Sequence, residues 1–234
     1  MISIAIFVEG QTELKFAKKL IGQRYGHLTF RINEVVRRRK NTYMPNEAPK
    51  QSAGLDCSFL LVEVPSREKI ISYVVDNASN MVTRKGFNLL LGLQDLLPNK
   101  RSDKMRIMHS IDNILKKSPV YNKIGIVLAI METEAWFLCD WQMFERIDPR
   151  LTNSYIQTSL GLDIVNNDPE LVYGHPSRTL GKILKLANRR YRKHGPEIDA
   201  IVSNLDITYL CSCTGKIDSF FNFIRQLDTH IPSS

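Results

Sequence analysis

Apolar runs rich in β-branched residues alternate with amphipathic stretches of helical period over the first 140 residues. The first run, Ile2-Ser3-Ile4-Ala5-Ile6-Phe7-Val8, reads as a buried strand and stops at Glu9-Gly10. Thr12 then predicts the N-cap of a helix with Leu14, Ala17, Leu20 and Ile21 turned inward. Residues 22–57 are polar, hold Gly22, Gly26, Pro45 and Pro49, and read as loop. A second strand is expected at 59–64, followed by a helix built on Ile70, Ile71, Val74, Val75, Ala78 and Met81. A third strand is expected at 87–93. A basic helix near 103–117 should bury Met105, Met108, Ile111 and Leu115, and a fourth strand should span 124–131. Four strand–helix alternations predict an α/β fold, a mostly parallel, Rossmann-like sheet flanked by helices.

The pattern changes after residue 140. Residues 148–176 carry Pro149, Gly161, Pro169, Gly174 and Pro176 and read as loops. Pro176-Ser177 opens a helix with Leu180, Ile183, Leu184 and Ala187 on one face, and a last helix carries Ile217, Phe220, Phe221, Ile224 and Leu227. The expected organisation is an α/β core over 1–140 and a helical C-terminal extension over 141–234 packed on it.

With 43% hydrophobic residues, the 234-residue chain can bury a substantial core. Its net charge of +8 directs attention to polyanionic partners, although a basic surplus also serves solubility. The four cysteines, Cys57, Cys139, Cys211 and Cys213, show no zinc spacing and fit a reducing compartment. Cys211 and Cys213, two apart, suit alternate sides of a strand. The N-terminal run has no charged leader and is interrupted by Glu9. No stretch approaches the roughly 20 apolar residues of a membrane span, so a cytoplasmic protein without membrane contact is expected.

The candidate chemistry lies at the strand ends. Glu9, Asp95 and Glu132 each follow an apolar run, and Glu13 and Glu134 lie within a turn of two of them. Parallel strands bring such ends to one sheet edge, where open α/β folds bind ligands. Carboxylates gathered there are costly unless a cation or a basic group compensates. Oxygen ligands without a nearby Cys or His pair favour Mg2+ or Mn2+. Beside the Arg37-Arg38-Arg39-Lys40 run, such a site suits phosphodiester chemistry. That basic run also fits a solvated loop, and Glu13 also fits a helix-dipole partner. No Gly-x-x-x-x-Gly-Lys-Ser/Thr phosphate loop occurs, so ATP hydrolysis would need a partner.

Glu9-Gly10-Gln11-Thr12-Glu13 followed by Phe16 resembles the first signature of the Toprim fold, in the branch of OLD-type nucleases and their stand-alone relatives. Asp95-Leu96-Leu97 matches the first acid of the family's Asp-x-Asp signature, and Leu97 stands where the second is expected. Glu132-Thr133-Glu134-Ala135-Trp136 resembles the third signature. Pro176-Ser177-Arg178-Thr179-Leu180 with Tyr191-Arg192-Lys193 is similar to a C-terminal segment of the same group.

The resemblance implies a metal-dependent nuclease acting on RNA, such as tRNA, or on DNA. It also implies pairing with an ABC- or SMC-like ATPase as the toxic effector of an antiviral defence system. The roles that follow place Glu9, Glu13, Asp95 and Glu134 at Mg2+ or Mn2+. Glu132 becomes a ligand or the base that orients water, and Lys193 a contact to the scissile phosphate. Arg37, Arg38, Arg39, Arg178, Arg190 and Arg192 contact nucleic acid. A homodimer stays open. Two other readings compete: a non-catalytic subunit of an ATPase complex, suggested by Leu97, and a phosphatase acting on small esters.

Overall fold

The computed structural model describes residues 1–35, 54–64, 66 and 69–231. Arg37, Arg38, Arg39 and Lys40 lie outside the described residues. The chain is α/β, with a five-stranded, all-parallel sheet flanked by helices. The strand order is β2-β3-β1-β4-β5. The strands are β1 (Ile2–Val8), β2 (Phe30–Val35), β3 (Cys57–Glu63), β4 (Leu89–Asp95) and β5 (Ile124–Ala129). β1 lies between β3 and β4, pairing Ile6 with Leu61 on one side and with Leu91 on the other. Its residues from Ser3 to Val8 are all buried, which explains the unbroken apolar run.

The fold divides into two compact units. The first comprises Met1–Gln94, Ser102–Leu128 and Asn222–Ser234. In it, α1 (Gln11–Arg24) buries Leu14, Phe16, Ala17, Leu20 and Ile21. Its N-cap is Gly10, not Thr12; Thr12 lies inside the helix and is buried. α2 (Ile70–Ser79) and a following π-helical turn, Asn80–Arg84, bury Ile70, Val74, Ala78 and Met81. Those side chains pack with Ala5, Phe7, Leu60, Val62, Leu90 and Ile126. α3 (Lys104–Leu115) buries Ile111 alone, and Met105 is 75% exposed, against the expected inward face. Methionine tolerates both settings, so its spacing is a weak guide.

The second strand of the sheet replaces part of the loop expected over 22–57. Phe30-Arg31-Ile32-Asn33-Glu34-Val35 is an edge strand, only part-buried, and its polar half masks the alternation. Phe30 and Tyr25 contact Phe59 of β3, with ring centroids 5.9 and 6.2 Å away. The Tyr25 hydroxyl and the Arg24 guanidinium both bond Asp228, at 2.8 and 2.6 Å, which ties the end of α1 to the last helix.

The second unit comprises Asp95–Arg101 and Ala129–Phe221. It holds α4 (Glu134–Cys139), α5 (Gln142–Ile147), α6 (Asn153–Leu160), α7 (Pro169–Val172), α8 (Pro176–Lys185), α9 (Pro196–Asn204), α10 (Ile207–Ser212) and the start of α11 (Asp218–Asp228). Two helices, α6 and α7, interrupt the stretch between 148 and 176, where loops still dominate as expected. α6 and α7 begin at Thr152 and Asp168, whose side chains cap them. Cys211 and Cys213 close α10 and do not sit on a strand. On α11, Phe223 is buried in place of the expected Phe221. Trp136 forms the centre of this unit: fully buried, it donates to Ser219 Oγ at 2.8 Å and Glu170 Oε1 at 3.1 Å and lies 5.4 Å from the Phe220 ring.

β4 keeps a glycine where β-branched residues crowd it. A Cβ on Gly92 would stand 2.6 Å from Ile126 Cδ1 and 3.0 Å from Ile70 Cγ2. Gly92→Val is expected to overpack this spot and lower the unfolding free energy by about 1–3 kcal/mol, measured by urea denaturation.

Candidate functional site

The strand-end acids fall as the pattern implies: Glu9 directly follows β1, Asp95 closes β4, and Glu132 comes three residues after β5. Glu9 is half-buried, and Glu13 is buried in the first turn of α1. Both belong to the first unit.

In the second unit the chain reverses sharply after β5. Met131 adopts φ 66°, and the Glu132 amide bonds back to Ile130 O at 3.0 Å. The turn is tied to the end of β4, because Asp95 Oδ1 accepts from Thr133 N at 2.9 Å and from Thr133 Oγ1 at 3.0 Å. Leu96 N and Leu97 N donate to Ala129 O and Met131 O, both at 2.9 Å. These bonds present Asp95, Glu132 and Glu134 together. All three are buried, with Glu134 at 0% exposure.

Lys193 supplies the positive charge. Its Nζ lies 3.0 Å from Glu134 Oε1, 3.2 Å from Glu132 Oε1 and 3.9 Å from Asp95 Oδ2. Tyr191 Oη also donates to Glu134 Oε1. Glu134 Oε2 is buried without a hydrogen-bond partner among the described residues. A buried acceptor in that state is costly, and a cation is one remedy. A carboxylate oxygen of Asp95 lies within 4.8 Å of one of Glu134, a separation one ion can span. The donors are all carboxylate oxygens, which fits Mg2+ or Mn2+ better than a softer metal.

Glu132 is held differently. Ser177 N donates to its Oε2 and Ser177 Oγ to its Oε1, both at 2.8 Å. His175, the residue before α8, makes no side-chain cap, so Glu132 serves the first turn of that helix from another segment. Burial pushes the Glu132 carboxyl up. The Lys193 charge and the Ser177 bonds outweigh that and hold it below its ordinary value. Both oxygens are engaged and the acidity is increased, which suits holding Lys193 and α8 more than taking a proton from water.

Of the expected nucleic-acid contacts, Arg178, Arg190 and Arg192 are exposed. Ser177, Tyr191 and Thr133 complete the site and are not among the expected site residues. The signal for two of them is present in the segments around Pro176 and Lys193. Trp136 is buried in the core, and His175 and His194 are exposed. Among the described residues no helix is long and apolar enough to cross a membrane. No family model, curated protein or solved structure matches the chain.

Two expected outcomes follow from these contacts. Tyr191→Phe removes a donor to a buried carboxylate and should lower stability by about 1 kcal/mol in urea denaturation. Asp148 is clamped by Arg150 at 2.9 Å and Arg189 at 3.4 Å. The Arg150 side-chain bonds, then its amide, hold the Asp148 carboxyl well below the usual range. The folded state therefore binds this proton less tightly than the unfolded state. The stabilisation is complete above the ordinary Asp value of about 3.9 and is lost as pH falls through the lowered value. The melting-temperature gap between wild type and Asp148→Asn should be widest near neutrality and narrow progressively as pH falls below about 3.9.

Proposed function

We propose that the chain is a divalent-cation-dependent nuclease that cleaves phosphodiesters in RNA or DNA. The observation that carries this reading is the fully buried Glu134 Oε2, without a hydrogen-bond partner among the described residues, beside Asp95 on a site where Lys193 faces three carboxylates. Asp95 and Glu134 are the proposed ligands in the second unit; Glu9 and Glu13 are ligands by the resemblance alone. Such an ion lowers the pKa of a bound water and offsets charge on a phosphoryl group.

The remaining roles belong to the chain itself. Lys193, with 44% of its side chain exposed, can donate to a phosphate oxygen while Glu132 fixes its position. Glu132 in turn is fixed by Ser177. Tyr191 orients Glu134. Arg178, Arg190 and Arg192 give exposed charge for the phosphate backbone, and the +8 surplus favours that partner. The resemblance extends the proposal to an ABC- or SMC-like ATPase partner in antiviral defence.

Leu97 favours one competing reading, a non-catalytic subunit. It stands in place of an acid, half-buried, with its amide tied to Met131 O. Purified protein incubated with plasmid DNA and with total RNA separates the readings. Cleavage should require Mg2+ or Mn2+ and vanish in Glu134→Gln and Asp95→Asn, and Lys193→Ala should slow it. Cleavage that persists in Glu134→Gln would overturn the assignment. A wild type that binds no Mn2+ in calorimetry would favour the non-catalytic subunit.

A further inference from the structure

The segment joining α8 to α9 is folded without regular structure and shapes two clefts. It turns at Asn188, with φ 58°, and ends at Gly195, with φ 76°. Both clefts are lined by Asn188, Arg189 and Arg190. The first, about 470 Å³, adds Gly181, Lys185, Tyr191 and Arg192, and its charged lining residues are all basic. The second, about 380 Å³, has a different character. Ile147, Leu184, Ala200 and Ile201 line it together with Glu197. Leu184 and Ile201 are buried, which gives the cleft an apolar floor under a polar rim.

The charges in these clefts are unequal in availability. Arg189 is engaged by Asp148, and Arg192 lies 3.7 Å from Glu197. Lys185 and Arg190 form no ion pair among the described residues. A phosphate backbone needs only such free cations on a wet surface. It has no use for an apolar floor or for an acid. A nucleobase needs both: a flat apolar surface for its face, and donors and acceptors for its edge. Asn188 supplies a donor and an acceptor and Glu197 an acceptor. The volume lies within the range of small-ligand pockets. A base inside a duplex cannot reach such a recess, whereas one in a single strand can turn into it.

We propose that the 380 Å³ cleft receives one base of a single-stranded nucleic acid, with the flanking phosphates on Arg190 and Lys185. The proposal rests on the nuclease reading and names the form of its substrate. Tyr191 connects the two places: it lines the basic cleft, and its hydroxyl donates to Glu134. A strand seated on Arg190 is thereby led to the carboxylates.

Binding is measured by fluorescence anisotropy in EDTA, with labelled RNA and DNA strands of about 12 nucleotides and the matching duplexes. Wild type should bind a single strand at least about 10-fold more tightly than the duplex, and the RNA and DNA arms identify the preferred sugar. Ala200→Phe, which fills the recess, should erase that preference. Arg190→Ala, on the exposed rim, should weaken both forms and lower the salt slope by about 0.7–0.9. Equal affinity of wild type for strand and duplex, or a preference retained in Ala200→Phe, overturns the proposal. The wild-type comparison stands even if Ala200→Phe fails to fold. Metal-dependent cleavage without a single-strand preference removes the base pocket and leaves the nuclease. A single-strand preference without cleavage does the reverse.

Discussion

One ammonium group among three buried carboxylates is the interaction on which the second unit turns. Lys193 comes within 4 Å of Asp95, Glu132 and Glu134, which arise from two separate places in the chain. A single positive charge cannot balance three negative ones, so the hydrogen bonds from Thr133, Ser177 and Tyr191 carry much of the rest. Glu134 Oε2 is left without a hydrogen-bond partner among the described residues. That oxygen is the chemical reason for expecting a metal here, independent of any likeness in sequence.

The parallel sheet explains how distant residues reach the site. Buried strands read as continuous apolar runs, and their ends bring the chain to one edge. β4 ends with Asp95, and the tight turn after β5 returns to bond it through Thr133. The helices after β5 then supply Ser177 at the start of α8 and Tyr191 and Lys193 beyond its end.

Much of this is legible in the sequence for a physical reason. Four of the five strands are apolar enough to stand out, and an acid at the end of a buried strand is conspicuous. The features that escape the pattern have a weaker signal. β2 is a part-buried edge strand whose outward half resembles loop. Thr12 looks like a cap, but capping depends on backbone geometry, and Gly10 takes that place. Helices such as α6 and α10, eight and six residues long, are too short to show a clear helical period. The engagement of both Glu132 oxygens cannot be read from spacing, because it depends on a serine 45 residues away.

The borrowed cap of α8 has a consequence for how this part of the molecule becomes ordered. α6, α7 and α10 carry their own caps, through Thr152, Asp168 and Asp206. α8 begins with proline, which fixes its direction, but the acceptor for its first turn is Glu132. The reversal after β5 and the opening turn of α8 are therefore joined through the Glu132 side chain. Any disturbance that frays one end is transmitted to the other.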